Sequence, residues 1–121
     1  MIKNNFIIKK LLKNKNSNKT IFSDKNTSIS WKKLYEISNY NSKKIIKFNS
    51  ENVIIICNRS IDTVLAIVTV ILSGKTFCPI SDKTPIKKIK FIMKKLKTDL
   101  IINFSKKKNI NFNYKKINKI I

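Results

Sequence analysis

Along residues 2–13 the apolar positions Phe6, Ile7 and Leu11, with Lys10 among them, recur at helical spacing, and Ile2 and Ile8 widen the stripe. That pattern predicts a short amphipathic helix. Residues 14–19 are polar and read as a linker. Two short runs, 20–23 and 28–31, then flank Asp24-Lys25-Asn26-Thr27, a segment whose residues tolerate turn conformations, which predicts a β-hairpin. Ser30 stands where a helix N-cap belongs, and Trp31, Leu34, Tyr35, Ser38, Asn41 and Ile45 line one face of a helix expected to run to about Lys47. The β-branched run 53–57 fits a strand buried on both faces.

Ser60 reads as the cap of the next helix, with Asp62 in its first turn to complement the helix dipole. That helix, 61–73, is apolar nearly all round and should be buried; Gly74 supplies the left-handed residue that stops it. A second strand, 76–80, ends near Pro79. Thr84-Pro85 reads as an N-cap followed by the first helical residue, and Ile86, Ile89, Ile92, Met93 and Leu96 give a further amphipathic helix. A third strand is expected at 100–103. The class is therefore α/β: an N-terminal helix and β-hairpin, then a βαβαβ unit forming part of an open parallel sheet with right-handed crossovers. The chain divides into a helix and linker (1–18), an α/β core (19–103) and an irregular basic tail (104–121) with at most one marginal strand.

Three segments resemble the start of the amino-acid adenylation domains of the AMP-forming ligase superfamily, the acyl-adenylate-forming enzymes of the nonribosomal peptide synthetase and D-alanine-carrier-protein ligase types. The first is Ile29-Ser30-Trp31-Lys32-Lys33-Leu34, where Trp31 stands for a tyrosine and Lys33 for the glutamate that would close a capping box. The second is Asn58-Arg59-Ser60-Ile61-Asp62. The third is Ile71-Leu72-Ser73-Gly74-Lys75-Thr76-Phe77-Cys78-Pro79-Ile80-Ser81 followed by Pro85, where Ser81 replaces an aspartate. The matches cover roughly residues 6–102, most of this chain and a minor part of the family's catalytic domain.

The resemblance implies an incomplete N-terminal subdomain, a partial adenylate-forming enzyme fold. Family members join a carboxylate to ATP with Mg²⁺, release pyrophosphate and pass the acyl group to a phosphopantetheine carrier. Such chemistry needs a phosphate loop rich in Gly, Ser and Thr, a metal-binding carboxylate and a lysine on the reacting oxygen. The family places all of these beyond the matched region. The expected partners are accordingly the missing C-terminal part or a carrier protein, and no cofactor is expected on this chain alone. Ser30, Trp31, Leu34, Arg59, Ser60, Asp62, Gly74, Pro79 and Pro85 are expected to be structural: caps, stops, turn formers and packing. Arg59 could serve as well in an ion pair with Asp62 or Asp82 as on the surface. No catalytic residue is assigned.

The formal charge of +21 changes this picture less than its size suggests. Lys, Ile and Asn make up more than half the chain while Arg59 is the sole arginine and Gly74 the sole glycine, the pattern of an A+T-rich coding sequence. A phosphate-gripping protein would favour the planar fork of arginine. A basic module for nucleic acid or an acidic surface is thus the alternative reading, as is the N-terminal half of a split synthetase; sequence-specific nucleic-acid binding is not expected. Cys57 and Cys78 form no metal-type pair and histidine is absent, so free buried thiols in a reducing, cytoplasmic compartment are expected. The apolar stretch 64–72 is too short to span a bilayer, and the opening residues lack a signal-peptide cleavage site.

Overall fold

In the computed structural model, which describes residues 6–25, 27–104, 108, 110, 112 and 114–116, the expected elements appear in the expected order. They are α1 (Phe6–Asn14), β1 (Thr20–Ser23), β2 (Ser28–Ser30), α2 (Trp31–Ile45), β3 (Asn52–Cys57), α3 (Ile61–Ser73), β4 (Thr76–Ser81), α4 (Ile86–Leu96) and β5 (Ile101–Ile102). The protein is α/β, with the hairpin β1–β2 antiparallel and a three-stranded parallel sheet in the order β4-β3-β5. The first part of the expected opening helix, residues 2–5, lies outside the described residues.

Central strand β3 explains the layering. Its residues alternate between two cores: Val53 and Ile55 face α2 and α3 with Leu34, Leu65 and Val70, whereas Ile54 and Ile56 face α4 with Ile89 and Ile101. All four are essentially removed from solvent. A strand packed on both faces must be apolar at every position, which is why this run shows no alternation.

Strand β4 is the open edge. Thr76 N–H donates to Glu51 O (2.9 Å) and Asp82 N–H to Cys57 O (3.0 Å), so the even-numbered residues between them point their N–H groups at β3 and the odd ones point away. Pro79, with no N–H to give, therefore sits on an outward position, where it costs no ladder bond and removes a donor from the exposed edge. The opposite edge is covered in part by the chain itself: Leu100 bridges Lys115 in parallel, Ile101 N–H donates to Lys115 O (3.0 Å) and Lys115 N–H to Asp99 O (2.7 Å). The core also reaches one residue past the expected boundary at 103, because Phe104 is buried with α2 and α3.

Several element ends differ from the sequence reading. Helix α2 stops at Ile45 rather than Lys47; Ile46 N–H still reaches Ser42 O, after which Phe48 N–H turns back to Ile45 O. Helix α4 starts one residue later than expected, with Pro85 (φ −62°, ψ 148°) at the cap position instead of Thr84, whose N–H is used in a turn to Ser81 O. An extended ψ before Ile86 keeps Pro85 out of the helix. Strand β5 has two residues, not four, since Asn103 leaves the ladder. Two other ends are as read: Ser30 Oγ accepts from Lys33 N–H (3.1 Å), and Gly74 ends α3 in the left-handed region (φ 79°).

Candidate functional site

Ligand sites of open parallel sheets lie beyond the carboxyl ends of the strands, where neighbouring strands send their connections in opposite directions. In the order β4-β3-β5 that point falls between β3 and β5, because β3 connects outward to β4 and the chain then crosses back to the other side. Asn58 follows β3 there and Asn103 follows β5. Among the described residues each keeps one buried side-chain atom without a hydrogen-bond partner, Nδ2 of Asn58 and Oδ1 of Asn103. The other atom is occupied: Asn103 Nδ2 donates to Lys108 O (2.8 Å), and Asn58 Oδ1 accepts from the Ser60 hydroxyl.

The start of α3 is built differently from the sequence reading. Ser60 occupies the cap position, but its side chain makes no cap bond, because the hydroxyl is turned back to Asn58. Asp24, from the β1–β2 turn, fills the vacancy: its Oδ2 accepts from Ile61 N–H (3.2 Å), while Oδ1 accepts from Thr27 N–H (2.9 Å) and the Thr27 hydroxyl (3.1 Å). Thr63 completes the loop, accepting from Asn58 N–H and donating to Asn58 O, both at 2.9 Å. One carboxylate thus ties the hairpin to a helix start 37 residues away, where the helix dipole favours negative charge.

This construction makes a direct prediction. Asp24→Ala will lower stability by about 1–2 kcal/mol, the usual cost of losing a cap, while Ser60→Ala will change it by less than about 0.5 kcal/mol. Urea midpoints of the two variants decide between them, and a larger loss for Ser60→Ala would restore the sequence-based assignment.

Around these groups lie two depressions of mixed lining. One of about 250 Å³ is bordered by Phe22, Asp24, Asn58, Arg59, Ser60 and Thr63, and a wider one of about 610 Å³ by Asp24, Thr27, Arg59, Ser60 and Asp62. Arg59 is exposed on their rim. A third, apolar groove of about 390 Å³ runs between α1, β1, α2 and α3, with Trp31 and Leu34 in its wall. So Arg59, Ser60 and Asp62 come together, Trp31 and Leu34 sit in the apolar groove, and Ser30 stays at its cap. Gly74, Pro79 and Pro85 are spread over the remaining turns and the β4 edge.

Chemical reactivity is sparse. Both thiols are free, as expected, and half-buried. Burial pushes the Cys57 thiol up, the Ile80 backbone hydrogen bond pulls the other way, and electrostatic interaction with Asp82 and Cys78 adds to the rise. A thiol raised in this way is a poor nucleophile at neutral pH. Among the described residues no three His, Cys, Asp or Glu side chains gather as a metal site would require, and no helix is long and apolar enough to cross a membrane. Ser81, which stands where the family resemblance has an aspartate, still anchors its loop by accepting from Lys83 N–H (3.1 Å).

No protein-family model and no curated protein matches the chain. Solved structures do. The chain is similar to the crystal structure of IdnL1, with a TM-score of 0.72 and 14% identity over 85% of this chain and 22% of that one. It is also similar to that of CmiS6 (TM-score 0.61, 14% identity, 72% of this chain and 22% of that one) and that of IdnL7 (0.60, 15%, 64% and 16%). At such identities the likeness establishes fold alone. The chain spans about a fifth of the length of the solved chains it matches, and its helix, hairpin and parallel sheet form an α/β unit that recurs within those larger proteins.

Proposed function

We propose that the chain is the N-terminal part of an amino-acid adenylation domain of the AMP-forming ligase superfamily, resembling those of nonribosomal peptide synthetases. The observation that carries this reading is the stretch from Ile71 to Pro85. Gly74 stops α3 in the left-handed region, the next residues form β4, and Pro85 stands at the cap position before α4, which supports reading this stretch as the family motif. The segments at Ser30 and at Arg59-Ser60 lie likewise at helix starts.

In the family reaction a carboxylate oxygen attacks the α-phosphorus of ATP and pyrophosphate leaves; a carrier thiol then attacks the acyl carbon of the adenylate and AMP leaves. The residues present do not fit ATP and Mg²⁺. The single glycine precludes a Gly-rich phosphate loop, Asp24 is committed to the α3 amide and Thr27, and the six carboxylates are spread over separate elements. On this reading residues 1–121 are inactive alone and act, in a reducing cytoplasmic compartment, with the C-terminal part of an adenylation domain or a carrier protein.

The purified chain is accordingly expected to show no amino-acid-dependent exchange of pyrophosphate into ATP. Robust exchange by this polypeptide alone would overturn the fragment reading. A segment rich in Ser, Thr and Gly, encoded nearby, is expected to raise its solubility on co-expression. If no such segment exists and the chain is soluble, monomeric and cooperatively folded, the split-synthetase version fails.

A further inference from the structure

The positive charge is not spread evenly. Residues 83–121 carry 13 of the 27 cationic side chains and one of the six acidic ones, Asp99. Compositional drift onto solvated faces would distribute lysine along the whole chain, so this concentration needs its own explanation. The one acid is already engaged, 3.9 Å from Lys115 Nζ. Between Asp99 and Ile121 there is no further acidic side chain.

Helix α4 focuses this charge. Side chains three and four residues apart are neighbours on a helix surface, and for Phe91 all four such positions are lysine: Lys87, Lys88, Lys94 and Lys95. Each of the four is exposed. Phe91 itself is 58% exposed at the centre of the square, on the side opposite the buried Ile89, and Lys95 Nζ lies over its ring, 5.7 Å from the centroid. The helix has no acid in its first turn and lysines in its last.

We propose that this face of α4 docks onto a bilayer surface rich in anionic phospholipid, with the four ammonium groups at the level of the lipid phosphates and Phe91 below them. Clusters of four or more lysines on an amphipathic helix recognise acidic headgroups, each contributing about 1 kcal/mol near the surface. An apolar ring centred among them suits a boundary between phosphate and hydrocarbon. Duplex nucleic acid suits it less, because its bases are already stacked and leave the ring no partner, and base readout uses Arg, Asn and Gln forks that this face lacks. Single-strand sites set aromatic platforms in a basic groove, whereas this face is a convex helix surface.

The test is co-sedimentation of the full chain with vesicles of phosphatidylcholine alone or with about 30% phosphatidylserine. Binding is expected only with the acidic lipid, falling steeply with salt. The fourfold variant K87Q/K88Q/K94Q/K95Q is expected to weaken it by about a hundredfold or more. An equal loss of charge elsewhere, K9Q/K13Q/K32Q/K43Q, should weaken it much less. Phe91→Ser should weaken it roughly tenfold with far-UV circular dichroism unchanged. Binding to neutral vesicles of equal strength, equal effects of the two fourfold variants, or no effect of Phe91→Ser would each overturn the proposal. So would displacement from acidic vesicles by single-stranded DNA that binds more tightly and loses affinity when Phe91 is replaced.

Discussion

Ile55→Ala is expected to remove about 3–5 kcal/mol of stability, enough to leave a domain of this size partly unfolded at room temperature. Ile55 is fully buried on the central strand, paired with Pro79 on one side and Ile102 on the other, and points into the cluster formed with α2 and α3. Deleting three carbons there leaves a cavity walled by Val53, Leu65 and Val70 and their neighbours, of which the β-branched ones have one preferred rotamer and cannot swing in to fill it. The cost should therefore fall in the upper part of the range for such truncations. Ile46, 55% exposed just past the end of α2, is the control: Ile46→Ala should cost under about 1 kcal/mol. Urea unfolding of both variants reads the difference, and equal midpoints would mean that the sheet is not the centre of the fold.

What was legible in the sequence was whatever a residue's neighbours along the chain determine. The unbroken apolar run at 53–57 marks a strand covered twice, the spacing of Ile86, Ile89, Met93 and Leu96 marks the inner face of α4, and a lone glycine after thirteen helical residues marks a stop. These are local signals of period and backbone freedom. The site was much less legible. Ser60 has the type and position of a cap, yet its hydroxyl has a nearer acceptor in Asn58, so the capping group comes from Asp24 across the fold. Nothing in the spacing of Asp24 and Ile61 announces that bond. The unpartnered atoms of Asn58 and Asn103 arise from the strand order, which brings the ends of β3 and β5 together only after the crossover through α4. Lys75 was hidden for a similar reason. In the motif it fills a position open to any residue, and lysine is ordinarily an exposed side chain.

Lys75→Met is expected to destabilise the protein by about 1.5–3 kcal/mol, far more than the replacement of a surface lysine. Lys75 is 7% exposed, and its Nζ donates to Phe48 O (2.8 Å) and Ser50 O (2.5 Å), joining the turn after α3 to the loop between α2 and β3. Methionine keeps the length of the stem and removes the ammonium, so packing is nearly preserved while two carbonyl oxygens lose a charged donor. Each such bond to a charged group is worth about 1.5–3 kcal/mol, but the variant also escapes the cost of holding an ammonium away from water, and the two effects partly cancel. The estimate is therefore below the sum of the two bonds. Location matters as well as size: the adjacent Thr76 N–H donates to Glu51 O at the first rung between β4 and β3. If Lys75 holds that end of the sheet closed, Lys75→Met should speed hydrogen exchange at the Thr76 amide more than at the far rung, Asp82 to Cys57 O. The exposed Lys97→Met should do neither. Unchanged stability with uniform exchange would mean that water replaces the ammonium at the two carbonyls without loss, and that the lysine merely lies across the loop.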